Sequence, residues 1–394
     1  MTDKDKLSYW ERRALELEQS NHDDGDKVIA KLAKSYGIAQ EYLTGEVEKI
    51  YKRYLSRSGL SESEVDKILN TAITSDQLVE LKAMVKKTEN KELKKQLQIY
   101  LSGLAAKGRI SRLELLKAKA YLVAKQLADV QLTETTKYYT KTIEDAYKHT
   151  AASSIIGQTQ KDFNVYQNGA VPEASKVKKT IKFTEPESGK VLHEVDVMPD
   201  KPTTKLTELT TETVKQQLTA PWEGKNYSQR IWKNTDELAD RLQELFTAKE
   251  LSGMPEREMR LRLQKEFGVS AYQARRLVRT ESAYMANQAR LKAWNDHHVE
   301  EYSLVAVLDF RTSEFCRDHD GRVYKVADAK CNGFYGNFPP FHPFCRTVPV
   351  AYYGKSKNGG YRTARDPKTK ETMKIPRDAT YREWEQMIIK GDHK

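Results

Sequence analysis

Leu115–Tyr147 reads LLKAKAYLVAKQLADVQLTETTKYYTKTIEDAY, with neither proline nor glycine. Its apolar residues, among them Leu115, Ala118, Leu122, Leu127, Tyr138, Ile143 and Tyr147, recur largely at three- and four-residue intervals, the mark of a long helix opening near Ser111. Outward from it, the same texture runs from Leu7 to about Ala152. Tyr9, Trp10, Ala14 and Leu17 make a first apolar stripe; Val28, Ile29, Leu32, Tyr36 and Ile38 make a second, extended by Leu43, Val47, Ile50 and Tyr54. All are expected in a core. Ser61 with Glu64 spells a capping box, Ser75 is expected to cap the next helix, and Gly103 and Gly108 mark breaks. Residues 1–167 therefore read as a helical arm or bundle.

Downstream the pattern changes. Pro172, Pro186, Pro199 and Pro202 bracket two alternating runs, Val177–Phe183 and Lys190–Val197, which predict a β-hairpin insertion over 168–204. Its Lys176, Lys178, Lys179 and Lys182 suit an edge strand that resists aggregation, or phosphate contact. Helices resume over 205–298, with one expected from Thr235 to Glu250, one opened by Pro255 and stopped by Gly268, and a long one capped by Ser270. Residues 299–353 are a loop-rich module with a strand from Tyr302 to Phe310. Residues 354–394 are a basic tail, of which Lys355–Arg377 is expected to be disordered until bound, followed by a short amphipathic segment at Tyr381, Trp384, Met387 and Ile388. The fold class is mainly α: a long helical N-terminal arm or bundle, a helical C-terminal bundle, a small β-containing module and a basic tail.

The 394 residues carry 67 basic and 56 acidic side chains, a formal charge of +11. Such a surplus favours polyanionic partners through counterion release, with double-stranded DNA first among them. The candidate contacts are the tail's Lys355, Lys357, Arg362, Arg365, Lys368, Lys370, Lys374 and Arg377. A mean hydropathy of -0.75 fits extensive solvated helix, and no apolar run is long enough to span a bilayer. The opening MTDKDKLSYWERR lacks the apolar run of a secretion signal, so synthesis in a cytoplasm and no membrane partner are expected.

Three cysteines, Cys316, Cys331 and Cys345, all lie in the small module, which excludes a disulfide framework through the chain. Cys316 and His319 form a C-x2-H pair, and His342 and Cys345 form an H-x2-C pair starting 23 residues after His319. That spacing suits tetrahedral zinc, with Cys331 as an alternative ligand, and a loop-rich module gains from such a staple. The competing reading is that these side chains are simply packed. A ββα-metal nuclease would use Asp318, His319, Asn332 or Asn337, and His342, but the last histidine precedes a proline where a helix would be needed. Arg279 and Glu281 read as a structural ion-pair position. Phosphate-loop, Gly-x-Ser-x-Gly and His-Glu-x-x-His motifs are missing from the sequence.

Several words of this sequence resemble the tailed-phage minor head proteins, the phage head morphogenesis family that is Mu F-like. They are Tyr9–Arg13, the segment from Pro221-Trp222 to Trp294 with Tyr227–Trp232 and Val278–Ser282, and the module from Asp309 to Pro349. Within the module the telling words are Asp309–Cys316, Asp320–Tyr324 and Pro339–Arg346; Ala379–Trp384 follows. The resemblance implies a non-enzymatic virion component inside the head. It would be associated with the portal protein and packaged DNA, also meet scaffolding or major capsid protein, and assist head assembly or genome delivery. A metal-dependent nuclease and a scaffold without DNA binding are the alternatives. The family often has cysteine where this chain has Ser313 and Thr347, which weakens the implied metal set.

Overall fold

The computed structural model describes residues 9–55, 60–107, 109–166, 179–184, 191–197, 209–354, 361–366, 369, 371–376 and 379–390. Among them are eleven α-helices and seven strands, so the protein is mainly α with small β elements. The chain divides into two compact units that interleave in sequence. One comprises Asp24–Tyr138 and Lys225–Arg279; the other comprises Met1–Asp23, Tyr139–Gly224 and Thr280–Lys394. No described helix is long and apolar enough to cross a membrane.

The first unit is helical. It contains most of α1 (Tyr9–Tyr54), then α2 (Glu62–Leu69), α3 (Ser75–Lys86), α4 (Lys91–Ala105) and the first half of α5 (Arg112–Tyr166). The Ser61/Glu64 capping box opens α2 as expected, whereas Thr74, boxed with Gln77, occupies the cap position expected of Ser75. Gly103 lies inside α4 and does not break it; Gly108 lies outside the described residues. Ser111 caps α5, its hydroxyl accepting from the Glu114 amide. Leu81, Leu97, Leu101, Leu115 and Leu122 bury a shared apolar face. Leu32, Tyr36, Leu43 and Val47 of the α1 stripe are buried too, but Ile38 is 58% exposed and leaves the expected core. The side chains of Tyr9, Trp10 and Ala14 lie outside the described residues.

The same unit takes α7 (Tyr227–Leu245), α8 (Ala248–Gly253) and the start of α9 (Glu256–Asp296). The single helix expected over Thr235–Glu250 is two, because Asn226 with Gln229 opens α7 earlier and Thr247 caps a separate α8. Pro255 does precede a helix, its carbonyl accepting the Met259 amide. The break expected at Gly268 and Ser270 is absent, and α9 runs through both. Ser270 is buried, and its hydroxyl accepts from Arg241 rather than capping anything.

The second unit holds α6 (Thr211–Thr219), the later part of α9 and the described β elements. The hairpin expected near 168–204 is present as β1 (Lys179–Thr184) paired antiparallel with β2 (Val191–Val197). Lys176, Lys178 and the side chains of Lys179 and Lys182 lie outside the described residues. The small module is built on a three-stranded antiparallel sheet with β3 (Glu301–Val305) between β4 (Val323–Lys325) and β5 (Val348–Tyr352). β3 ends at Val305, short of the expected Phe310. Trp294, Tyr302, Phe338 and Phe341 pack its core. The tail forms a hairpin, β6 (Tyr361–Arg365) with β7 (Thr372–Pro376), which corrects the expectation of disorder for those residues, and the amphipathic segment is α11 (Tyr381–Lys390). Ala364, Ile375, Tyr381 and Trp384 are buried together beside Leu308.

Candidate functional site

A six-residue helix, α10 (Glu314–His319), starts directly after Ser313, whose hydroxyl accepts the Cys316 amide at 3.3 Å. This cap fixes Cys316 at the buried start of the helix. The facing loop, Phe341–Arg346, turns so that the Cys345 amide donates to the His342 carbonyl at 3.1 Å. α9 holds that loop from behind: Asn287 donates to the Pro339 carbonyl, and the Thr280 hydroxyl accepts the Phe344 amide. Thr280 lies in the Val278–Ser282 word, so that word supports the ligand loop.

Cys316, His342 and Cys345 converge, each offering a ligand atom within 4.8 Å of the others. Among the described residues this is the one cluster of three or more such groups. The two sulfurs are 3.8 Å apart, and Cys316 Sγ is 3.2 Å from His342 Nε2. Tetrahedral zinc with its usual bond lengths has S···S edges of about 3.8 Å and S···N edges of about 3.5 Å. His342 Nδ1–H donates to the Pro343 carbonyl at 2.8 Å, which leaves the Nε2 lone pair facing the sulfurs. The donor chemistry and spacing fit zinc.

A hydrogen bond joins the two sulfurs. The hydrogen bond to Cys345, with burial, pushes the Cys316 thiol up to about 12, while the hydrogen bond from Cys316 brings Cys345 down to about 7 against its burial. His342 is raised through its hydrogen bond to Cys316. A metal taking both sulfurs as thiolates would displace the proton of the hydrogen bond between them.

Two residues expected as ligands lie elsewhere. His319 Nδ1–H donates to the Phe315 carbonyl at 2.7 Å, and its ring stacks on Phe315 at 4.0 Å, so it is packed rather than converging. Cys331 is half-buried near Trp222, Glu223 and Glu281, and desolvation raises its thiol to about 12. Ser313, not expected as a ligand, has its hydroxyl 2.8 Å from His342 Nε2. The nuclease constellation is not assembled: Asp318 pairs with Arg382, and the Asn337 side chain bridges the Lys330 amide and the Asp328 carbonyl.

Two carboxylates hold the surrounding frame, each the first residue of one of the module's telling words, though the sequence assigned neither a role. Asp309 receives both Arg346 nitrogens at 2.6 Å and the Arg311 amide; burial raises its carboxyl, but these donors outweigh burial and hold it at about 2. Asp320 accepts from the Ala306 and Tyr381 amides and from both ends of Arg362. Arg362, expected to contact DNA, therefore has its guanidinium committed to joining the tail to the module. Lys374 is exposed on β7, while Lys355, Lys357, Lys368, Lys370, Arg377 and the Arg365 side chain lie outside the described residues. Arg279 pairs with Asp26 at 2.5 Å, as a structural residue would, and Glu281 is buried.

The architecture defines a mainly helical protein carrying a small β module with a Cys2His cluster. Residues 240–350 match the family model described as Phage Mu protein F like protein, a stretch running from within α7 to within β5 and containing all three clustered side chains. Over this stretch the chain is similar to the Mu F-like proteins. The Tyr9–Arg13, Tyr227–Trp232 and Ala379–Trp384 words fall outside the match. Comparison with curated proteins and with solved structures gives no match.

Proposed function

We propose that the protein is a minor head component held inside the virion beside the portal, where it contacts packaged DNA non-specifically and assists head assembly or genome delivery. The Mu F-like match over 240–350 carries this reading. The +11 charge adds a physical reason for proximity to DNA, because each neutralised phosphate releases counterions. Contacts to scaffolding or major capsid protein belong to the same reading, and the role is structural rather than enzymatic.

Heads purified after assembly with and without the protein test it. Mass spectrometry should find the protein in heads, and cross-linking should join it to the portal protein more than to the bulk of the shell. Absence of the protein from purified heads would overturn the proposal. Presence with cross-links only to shell protein would overturn the portal assignment alone.

A further inference from the structure

We propose that Cys316, His342 and Cys345 bind one zinc ion as a three-ligand centre whose fourth position, on the side of Ser313, Arg311 and Arg346, exchanges with solvent and small anions. The three ligand atoms lie within 4.8 Å of one another, and the sulfur separation of 3.8 Å is that of a tetrahedral edge. The imidazole is already turned correctly, since the Pro343 carbonyl takes its Nδ1–H. A closed structural site would need a fourth thiolate, imidazole or carboxylate.

None of the neighbouring side chains meets that need. His319 is stacked on Phe315 and bonded to its carbonyl, and the half-buried Cys331 lies beside Trp222, outside the cluster. The Asp309 carboxylate is held by Arg346 and the Arg311 amide. The group that does reach the cluster is the Ser313 hydroxyl, 2.8 Å from His342 Nε2, a neutral oxygen outside zinc's usual protein donors. Ser313, Cys316 and His342 also line a small surface pocket with Arg311, Arg346 and Thr347. The exposed Arg311 places positive charge at that opening, so an anion approaching the fourth position is attracted rather than repelled.

The test uses the full chain, purified under reducing conditions and loaded with cobalt(II) as the spectroscopic probe. We expect one metal per chain, thiolate-to-cobalt charge-transfer absorption and intense tetrahedral d–d bands. Azide should shift those bands saturably. Ser313→Cys should tighten cobalt binding and abolish the azide shift by supplying a fourth ligand. His319→Ala and Cys331→Ala should leave affinity unchanged. Cys345→Ser should weaken binding by more than the roughly 10–100-fold typical of losing an outer-shell partner. Should that variant not fold, as judged by circular dichroism, the Ser313→Cys comparison still decides.

Failure to bind metal, or formation of a Cys316–Cys345 disulfide in its place, would overturn the centre. An azide-inert spectrum, or loss of metal in His319→Ala or Cys331→Ala, would overturn the open position. These readouts are taken on isolated protein, so their failure is distinct from failure of head incorporation.

Discussion

Asp309 and Arg346 form a two-pronged pair at the base of the ligand loop, with Arg346 adjoining Cys345 in sequence. The folded carboxyl, held at about 2, lies below the unfolded value of about 3.9, so the pair's contribution is complete above the unfolded value and is lost as pH falls through the folded one. Asp309→Asn should destabilise the protein at pH 6 by roughly 2–3 kcal/mol, less than a fully buried pair because Arg346 is part-exposed. The difference from wild type should shrink between about pH 4 and pH 2. Urea denaturation across that range measures it; a penalty independent of pH would show that the carboxylate charge is not what stabilises. At this scale the sequence named the three side chains that converge, Cys316, His342 and Cys345, because C-x2-H and H-x2-C mark ligand types. It also named His319, which does not join them, because spacing cannot say that an imidazole turns back onto the carbonyl four residues earlier.

The Gly268 and Ser270 positions show how helix propensity is overruled within an element. Leu263, Phe267, Ser270, Ala274 and Leu277 are all buried, a stripe that keeps helical spacing straight through the glycine. A glycine in a helix interior costs only about 1 kcal/mol, which that buried face outweighs. The stripe was legible, and reading the glycine as a stop gave local signal too much weight. Since nothing lies within 4 Å of a Cβ built on Gly268, Gly268→Ala should stabilise by about 0.5–1 kcal/mol. The same change at Gly336 should do the opposite, because its Cβ would collide with the Lys330 carbonyl oxygen and the Asn332 amide. Thermal melts of the two variants moving in the same direction would contradict this account. The tail hairpin was hidden for a different reason. Its alternation is short and set among charges, and its anchor is tertiary: Asp320 collects Arg362 and the first amide of α11. Asp320→Ala should release β6, β7 and α11, seen as faster proteolysis after residue 353 with the first unit still resistant.

On the scale of the whole molecule, the mainly α character was legible because a helical period repeated over many turns is hard to mistake, whereas the division into units was not. Each of α1, α5 and α9 contributes residues to both units, an arrangement no linear reading of composition displays. A cut near Ala152 would pass through α5 and one near Pro221 would separate α6 from α7, so DNA binding is to be measured on the intact chain. Charge must then be removed without removing structure. Arg362 is unsuitable, since losing it breaks the Asp320 anchor; Lys368, Lys370, Lys374 and Arg377 are instead taken to glutamine as a set, with circular dichroism checking that the variant keeps its fold. Fluorescence anisotropy with random-sequence duplexes should show wild-type affinity falling steeply between 50 and 200 mM salt, as roughly 10³–10⁵-fold losses attend six to ten phosphate contacts. Every phosphate that the variant no longer neutralises should flatten the log–log slope by about 0.9. Binding with an unchanged slope would place the phosphate-binding groups elsewhere on the basic surface, and no binding by wild type at 50 mM would leave the protein a head component that works through protein contacts alone.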